Sequence, residues 1–338
     1  MSTSVASDLQ TTNPRPLAVR VKKIAIVAAK FLVTGACFWY VARQIDLSDL
    51  LSAIPLLDFR WVAFATLVVM LQIPLMALRW RNILGGLGAC NERMTRTAMV
   101  AVAAIGVFFV QVLPSVMGEG VRAWLLVRLG CGWRAAVTSV VIDRAVGVGV
   151  LVAFGFAILL LPAGVIALGG YRDPLLVTYA ALLVAAMVGL LLAPKIVWLL
   201  ERWRYSRCIA TLTADAHRVL LGPKSAAILG LACLIHTLTI LIVWSLGRAQ
   251  GLALPVTDAA VLFTVMVGVS VAPISIGGWG LRELAVIALL GNYGVAPGTA
   301  LLFSICFGLT LAIGSLPGAL VWLLYPIAPL QRPAERDG

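Results

Sequence analysis

The sequence predicts an all-helical integral membrane protein, a polytopic bundle of about six full spans plus two inverted re-entrant hairpins. Three observations point there. Apolar residues form 62% of the chain and charged residues 12%, with a mean hydropathy of +1.03, a balance suited to lipid rather than water. The apolar residues gather in runs long enough to cross a bilayer, which takes about 20 residues. Finally, a five-residue pattern, Gly-x-Gly-apolar-Arg, occurs twice, as Gly118 to Arg122 and as Gly278 to Arg282, 160 residues apart and each a few residues after a proline, Pro114 or Pro273. Repeated Gly, Pro and Arg inside apolar sequence is the pattern by which broken-helix transporters place a site at membrane depth.

From the N-terminus, a tail over 1–23 with Arg15, Arg20, Lys22 and Lys23 precedes an apolar stretch at 24–42. That stretch exceeds the roughly 7 to 15 residues of a signal-peptide core, so it reads as a retained first span. Further spans are expected at 61–78, 138–161, 174–194, 225–247 and 298–325. Two apolar segments, 97–113 and 257–272, run into the repeated motif and are followed by stretches of about ten residues, about 15 Å as helix. Each region, about 97–131 and 257–291, is therefore read as a helix descending, an irregular turn at depth, and a short helix returning from near Val121 or Leu281. The single transmembrane domain spans 24–326, with a cytoplasmic basic loop at 195–224 and a tail at 327–338.

Charge sets the orientation, because Lys and Arg accumulate on the cytoplasmic side. The N-terminal tail, the group Arg79, Arg81, Arg93 and Arg96, the loop with Lys195, Arg202, Arg204, Arg207, Arg218 and Lys224, and the end with Arg332 and Arg336 are assigned to the cytoplasm. Both termini are then cytoplasmic. Three spans separate the hairpins, so they open from opposite faces. The segment LLERWRYSRCIATL within the basic loop suits a helix lying on an anionic leaflet and, equally, a solvated loop. A net charge of +12 raises nucleic acid as a partner, but the cations sit beside apolar runs and form no basic domain.

The candidate binding residues follow from the cost of polarity in lipid. Unpaired backbone groups there cost several kcal/mol each, so broken helices must face protein or a wet cavity. Gly118, Gly120, Gly278 and Gly280 permit backbone angles closed to other residues. Helix N-termini after them would favour an anion, and Arg122 and Arg282 in the first turn offer planar forks matched to phosphate or carboxylate. Asp143 and Arg144 lie inside a span, where a charge must face inward and be paired. Glu119 and Glu283 each stand close to a motif arginine. Purely structural salt bridges are the alternative reading of the whole set.

Other residues have simpler explanations. Lys30 can snorkel to the interface. Trp61, Trp80, Trp198 and Trp322 fall at span ends, where interfacial anchoring is expected. The six cysteines form no metal-binding spacing, His217 and His236 are isolated, and no cofactor or metal motif appears. Asp46, Asp49 and Asp58 would suit the external carboxylates of a lipid-linked transferase, but LSDLLSAIPLLD also reads as an interfacial helix.

The stretches PSVMGEGVRAWLLVRLG, RAAVTSVVIDRAVG and PISIGGWGLRELAVIALLGNYGVAPGTALLFS resemble the lysylphosphatidylglycerol synthase transmembrane-domain family, which includes the flippase half of multiple-peptide-resistance proteins. The resemblance runs roughly from residue 20 to 326, and the acidic-Arg pair, commonly Glu-Arg in the family, is Asp143-Arg144 here. It implies a bacterial cytoplasmic-membrane protein that moves anionic or modified lipids between leaflets, with membrane lipids and lipid-biosynthesis enzymes as partners. Bifunctional members add a soluble aminoacyl-transferase domain. The sequence ends at Gly338, so the expectation is a transporter and not an enzyme, with a membrane-embedded transferase or a non-transporting scaffold as alternatives.

Overall fold

The computed structural model describes residues 54–113, 115–161, 169–201, 207–271 and 280–324. The expected span at 24–42 with Lys30, both tails, Asp46, Asp49, Pro114, Pro273, Gly278 and Trp279 lie outside these. The described residues are all-helical apart from turns and short connections.

Among the described residues eleven α-helices follow one another: α1 Phe59–Gly86, α2 Arg96–Val112, α3 Ser115–Arg128, α4 Trp133–Leu159, α5 Arg172–Leu191, α6 Ala193–Glu201, α7 Arg207–Leu220, α8 Ser225–Ala249, α9 Val256–Val271, α10 Leu281–Gly291 and α11 Pro297–Leu324. Five of them, α1, α4, α5, α8 and α11, are long and apolar enough to cross a membrane. They coincide with the five expected spans after the first, two of which (61–78 and 225–247) lie wholly inside their helices while 138–161, 174–194 and 298–325 overrun the helix ends by one to three residues. By contrast α2, α3, α9 and α10 have 17, 14, 16 and 11 residues. At about 1.5 Å per residue none reaches the roughly 30 Å of a hydrocarbon core.

Local sequence sets the helix ends. The Asp58 carboxylate accepts from the Arg60 N–H at the start of α1, and the Thr95 hydroxyl accepts from the Ala98 N–H at the start of α2. Asp58 thus has a capping role. Pro74 and Pro317 sit inside α1 and α11, as neighbouring helices allow in membrane proteins. Close approach depends on small residues: a Cβ on Gly314 would strike the Val69 side chain of α1, at 2.5 Å, and one on Gly318 would strike the Ala104 carbonyl oxygen of α2. These two glycines form a Gly-x-x-x-Gly face that seats α11 on α1 and α2.

Helices α2 and α3 form an antiparallel hairpin. Gly118 faces Val110, and the Arg122 side chain lies over Gly106. One partner's number falls by four as the other rises by four, which places the turn near residue 114.

Helix α1 lies against α8. The Asp58 N–H donates to Ala249 O at 2.9 Å, the rings of Trp61 and Trp244 pack edge to face, Gln72 Nε2 donates to Ile235 O at 2.9 Å, and Gly85 abuts Lys224 at the start of α8. Residue numbers rise along one helix as they fall along the other, so the pair is antiparallel.

The packing scheme shows the duplication. α1 packs on α2, α2 on α3, and α3 on α4; likewise α8 packs on α9, α9 on α10, and α10 on α11. Across the halves, α4 packs on α9 and α8, and α11 packs on α2 and α1. Exchanging α1–α4 with α8–α11 maps every substantial packing among these eight helices onto another. The equivalent pair α1 and α8 is antiparallel, so the axis relating the halves runs across the helices rather than along them. That is the geometry of an inverted repeat.

Between the halves, α5 packs on α4 with Tyr179 against Gly155 and with Leu175, Leu176 and Leu183 on the core, and presents Val177, Leu182, Val184, Met187, Val188 and Leu191 outward. The basic loop contains α6 and α7, packed on each other. Leu212, Ala216, Val219 and Leu220 of α7 rest on Ile83, Ile142, Val146, Ile228 and Ala232, so its apolar side is covered by protein at the ends of α1, α4 and α8. His217 lies in the last turn of α7, rather than in a loop.

Candidate functional site

A chain of five ionic side chains crosses the first half. Asp143 on α4 is almost completely buried and accepts from Arg79 Nε at 2.9 Å through Oδ1 and from Arg122 Nη2 at 3.0 Å through Oδ2. Arg122 on α3 also donates from Nη1 to Glu119 Oε2 at 2.9 Å, one helical turn back. The other oxygen of Glu119, Oε1, pairs with Arg144 Nη2. The order is Arg79, Asp143, Arg122, Glu119, Arg144, with signs alternating. Side-chain exposure is 6% at the Arg79 end and 49% at the Arg144 end.

Trp80 is the floor of this cluster. Its ring lies 4.2 Å from the Arg122 guanidinium carbon, within cation–π range, and its Nε1 donates to Ser139 Oγ. Trp80 is fully buried, which corrects the expectation of an interfacial anchor. Arg79 likewise is buried among protein side chains and not a solvated loop cation. Both stand seven or fewer residues from the end of α1, where sequence position alone suggests the interface. The packing of α2, α3 and α4 around that turn of α1 encloses them.

Asp143 and Arg144, although adjacent, do not pair with each other. Neighbours on a helix point about 100° apart, so Asp143 faces α1 and α3 while Arg144 reaches Glu119. Glu119 does stand beside its motif arginine, as expected.

The first glycine motif also differs from its expectation. α3 begins at Ser115, so Gly118 and Gly120 are ordinary helical residues and Arg122 lies seven residues in, away from the dipole end. Gly118 is needed for contact: a Cβ there would lie 2.6 Å from Val110 Cα. Gly120 is exposed with open space around it. Glycine serves a broken helix and a close helix contact equally well, and the sequence does not separate the two.

The second copy follows its expectation more closely. Gly280 has φ of 88°, the left-handed region that favours glycine, and α10 starts at Leu281 with Arg282 in the first turn. Here, however, the helix N-terminus is already occupied. Glu283 Oε2 accepts from the Gly280 N–H at 2.6 Å, while Oε1 accepts from Arg282 Nη2 at 2.6 Å and from Ser304 Oγ at 3.0 Å. Arg282 Nε lies 3.0 Å from the same Ser304 oxygen. Glu283 is fully buried. Gly278 falls outside the described residues.

The two clusters correspond under the pseudo-symmetry. Arg122 reaches from α3 to a polar residue on α4, and Arg282 reaches from α10 to a polar residue on α11. The partners, Asp143 and Ser304, follow their arginines by 21 and 22 residues. One copy thus uses a carboxylate where the other uses a hydroxyl, and Glu283 supplies the second copy's negative charge locally. The clusters are built on different helices and share none of these residues.

His236 on α8 lies with Nε2 2.9 Å from Gly147 O, a hydrogen-bonded position between helices. Among the described residues no group of His, Cys, Asp and Glu has the arrangement of a metal site.

Residues 27–318 match the family described as the lysylphosphatidylglycerol synthase TM region. The chain belongs to this family. The match covers the segments of both motif copies, four of the five long helices in full and α11 as far as residue 318, and every ionic residue of the two clusters. It makes the chain a multi-pass membrane protein related to lipid metabolism or transport. No curated protein and no solved structure matches the chain.

Proposed function

We propose that the chain moves lipids with an anionic head group between the leaflets of the bacterial cytoplasmic membrane by alternating access. The observation that carries this reading is the pair of buried arginine clusters at equivalent places in an inverted repeat. Charges at membrane depth are costly and mark substrate paths, and transporters of inverted-repeat design hold their sites where the repeats meet. The short arms of the two hairpins are re-entrant in this reading, each returning to its side of entry. Both termini face the cytoplasm, consistent with Arg93, Arg96, Arg128, Arg134 and Lys224 at one end of the bundle. The head group would pass through a wet path while its acyl chains stay in lipid. Arg122, Arg144 and Arg282 would contact its phosphate in turn, with Asp143, Glu119 and Glu283 holding them in place. No aminoacyl-transfer chemistry is assigned to these residues.

The test is a leaflet-exchange assay. Purified protein in vesicles holding a fluorescent anionic lipid should accelerate exchange over protein-free vesicles, and the double variant Arg122→Ala, Arg282→Ala should lose the acceleration. Wild-type protein no faster than empty vesicles would overturn the reading.

A further inference from the structure

We infer that Cys90 and Cys131 form an oxidisable thiol pair, which hydrogen peroxide converts to a disulfide that fastens the two ends of the first hairpin together. Cys90 lies in the loop between α1 and α2, and Cys131 in the loop between α3 and α4. The two loops meet at Asn91. Its Nδ2 donates to Leu129 O at 3.2 Å, and a Cβ on Gly130 would lie 3.5 Å from the same nitrogen. Cys90 precedes Asn91 and Cys131 follows Gly130, so this contact draws together two free thiols that are far apart in the chain. A disulfide requires Cα atoms about 4.4–6.8 Å apart. Gly88, with φ of 68° and open space around it, gives the Cys90 side of the contact room to adjust to that separation. On the other side Cys131 is held, its N–H donating to Leu126 O at 3.0 Å.

The thiols differ in access, and this sets the order of the chemistry. Cys90 is exposed, and oxidants react with an accessible thiolate. Cys131 is shielded, and its burial together with the neighbouring Cys90 pushes its thiol up, so it stays protonated. The Cys90 thiolate attacks one peroxide oxygen, the O–O bond breaks, and the departing hydroxide takes up the proton that Cys90 released. Cys90 is then a neutral sulfenic acid. The Cys131 sulfur attacks the Cys90 sulfur, the S–O bond breaks, and hydroxide leaves with the Cys131 proton as water. Two thiols and one hydrogen peroxide give one disulfide and two waters. The ring so closed contains all of α2 and α3, and with them Glu119 and Arg122. In the orientation proposed above these loops face the cytoplasm, where thiols are kept reduced. The dithiol is then the resting form and the disulfide a response to peroxide.

The experiment treats full-length protein in vesicles with hydrogen peroxide and maps its peptides by mass spectrometry without reduction. Wild-type protein should yield a linked Cys90–Cys131 peptide pair that dithiothreitol separates, and the oxidised form should unfold at a higher SDS fraction than the reduced form. Cys131→Ser should stop at a Cys90 sulfenic acid, trapped by dimedone. Cys90→Ser, at an exposed position that keeps the fold testable, should leave Cys131 unmodified. Oxidation of wild-type Cys90 without a link to Cys131, a link only between Cys90 residues of two chains, or equal unfolding of the oxidised and reduced forms overturns the inference. The effect on lipid movement rests on the transport reading: oxidation should slow leaflet exchange about fivefold or more, as for other motions that gate turnover, and dithiothreitol should restore it. A disulfide that forms with exchange unchanged keeps the site and overturns its control of transport. Reduced protein without exchange overturns the transport reading and leaves the disulfide standing.

Discussion

Asp143→Asn isolates the carboxylate on which two buried guanidiniums converge. In the native protein its oxygens lie 2.9 Å from Arg79 Nε and 3.0 Å from Arg122 Nη2, with almost no exposure on any of the three side chains. Two unit charges about 4 Å apart attract by about 4 kcal/mol at an effective dielectric constant near 20. Asparagine removes the charge from both contacts and turns an amide N–H toward a cation. Relaxation recovers part of the loss, and breaking a buried pair typically costs about 3–5 kcal/mol. We expect that range for the loss of unfolding free energy, read in bicelles against increasing SDS fraction. The double variant Arg79→Gln, Asp143→Asn restores the cluster's net charge and should show a favourable coupling of about 1–3 kcal/mol. A loss below about 1 kcal/mol for the single variant, a range typical of exposed pairs, would refute the assignment of Asp143 as the shared buried counter-ion. Simple additivity in the double variant would refute it equally.

Further expectations separate roles that look alike in sequence. Gly118→Ala should destabilise by about 1–3 kcal/mol, because its Cβ meets the Val110 backbone, while Gly120→Ala, in open space, should be neutral or gain up to about 1 kcal/mol of helix propensity; the same unfolding assay compares them. Glu283→Gln should cost about 3–5 kcal/mol by leaving Arg282 without its carboxylate, against about 1 kcal/mol for Ser304→Ala, which removes only hydroxyl contacts. Trp80→Phe should lose about 1 kcal/mol, the Nε1 hydrogen bond to Ser139, and Trp80→Leu should lose more because the ring face under Arg122 disappears as well. Equal losses for the two Trp80 variants would remove the cation–π contact from the account.

The sequence alone determined the lipid-facing class, the positions of the five described spans, the two short hairpins and the rule that Arg122, Asp143 and Arg282 must be buried and paired. These follow from local quantities: run length against bilayer thickness, and the cost of a charge within an apolar run. Partner choice and depth were decided by the tertiary structure. Arg79 and Trp80 read as interfacial because they stand near the end of a span, yet the first hairpin packs over that turn and encloses them. Arg144 adjoins Asp143 in sequence but points elsewhere around the helix, so its counter-ion is Glu119, 25 residues earlier. The twin motifs looked alike as Gly-x-Gly, but one is a helix face pressed against Val110 and the other a left-handed turn capped by Glu283. The repeat was legible as spacing and its inversion as the odd number of spans between the copies; the structure shows that inversion as the antiparallel pairing of α1 with α8. Such properties depend on which helices meet, and contacts between residues far apart in the chain leave no local trace in its sequence.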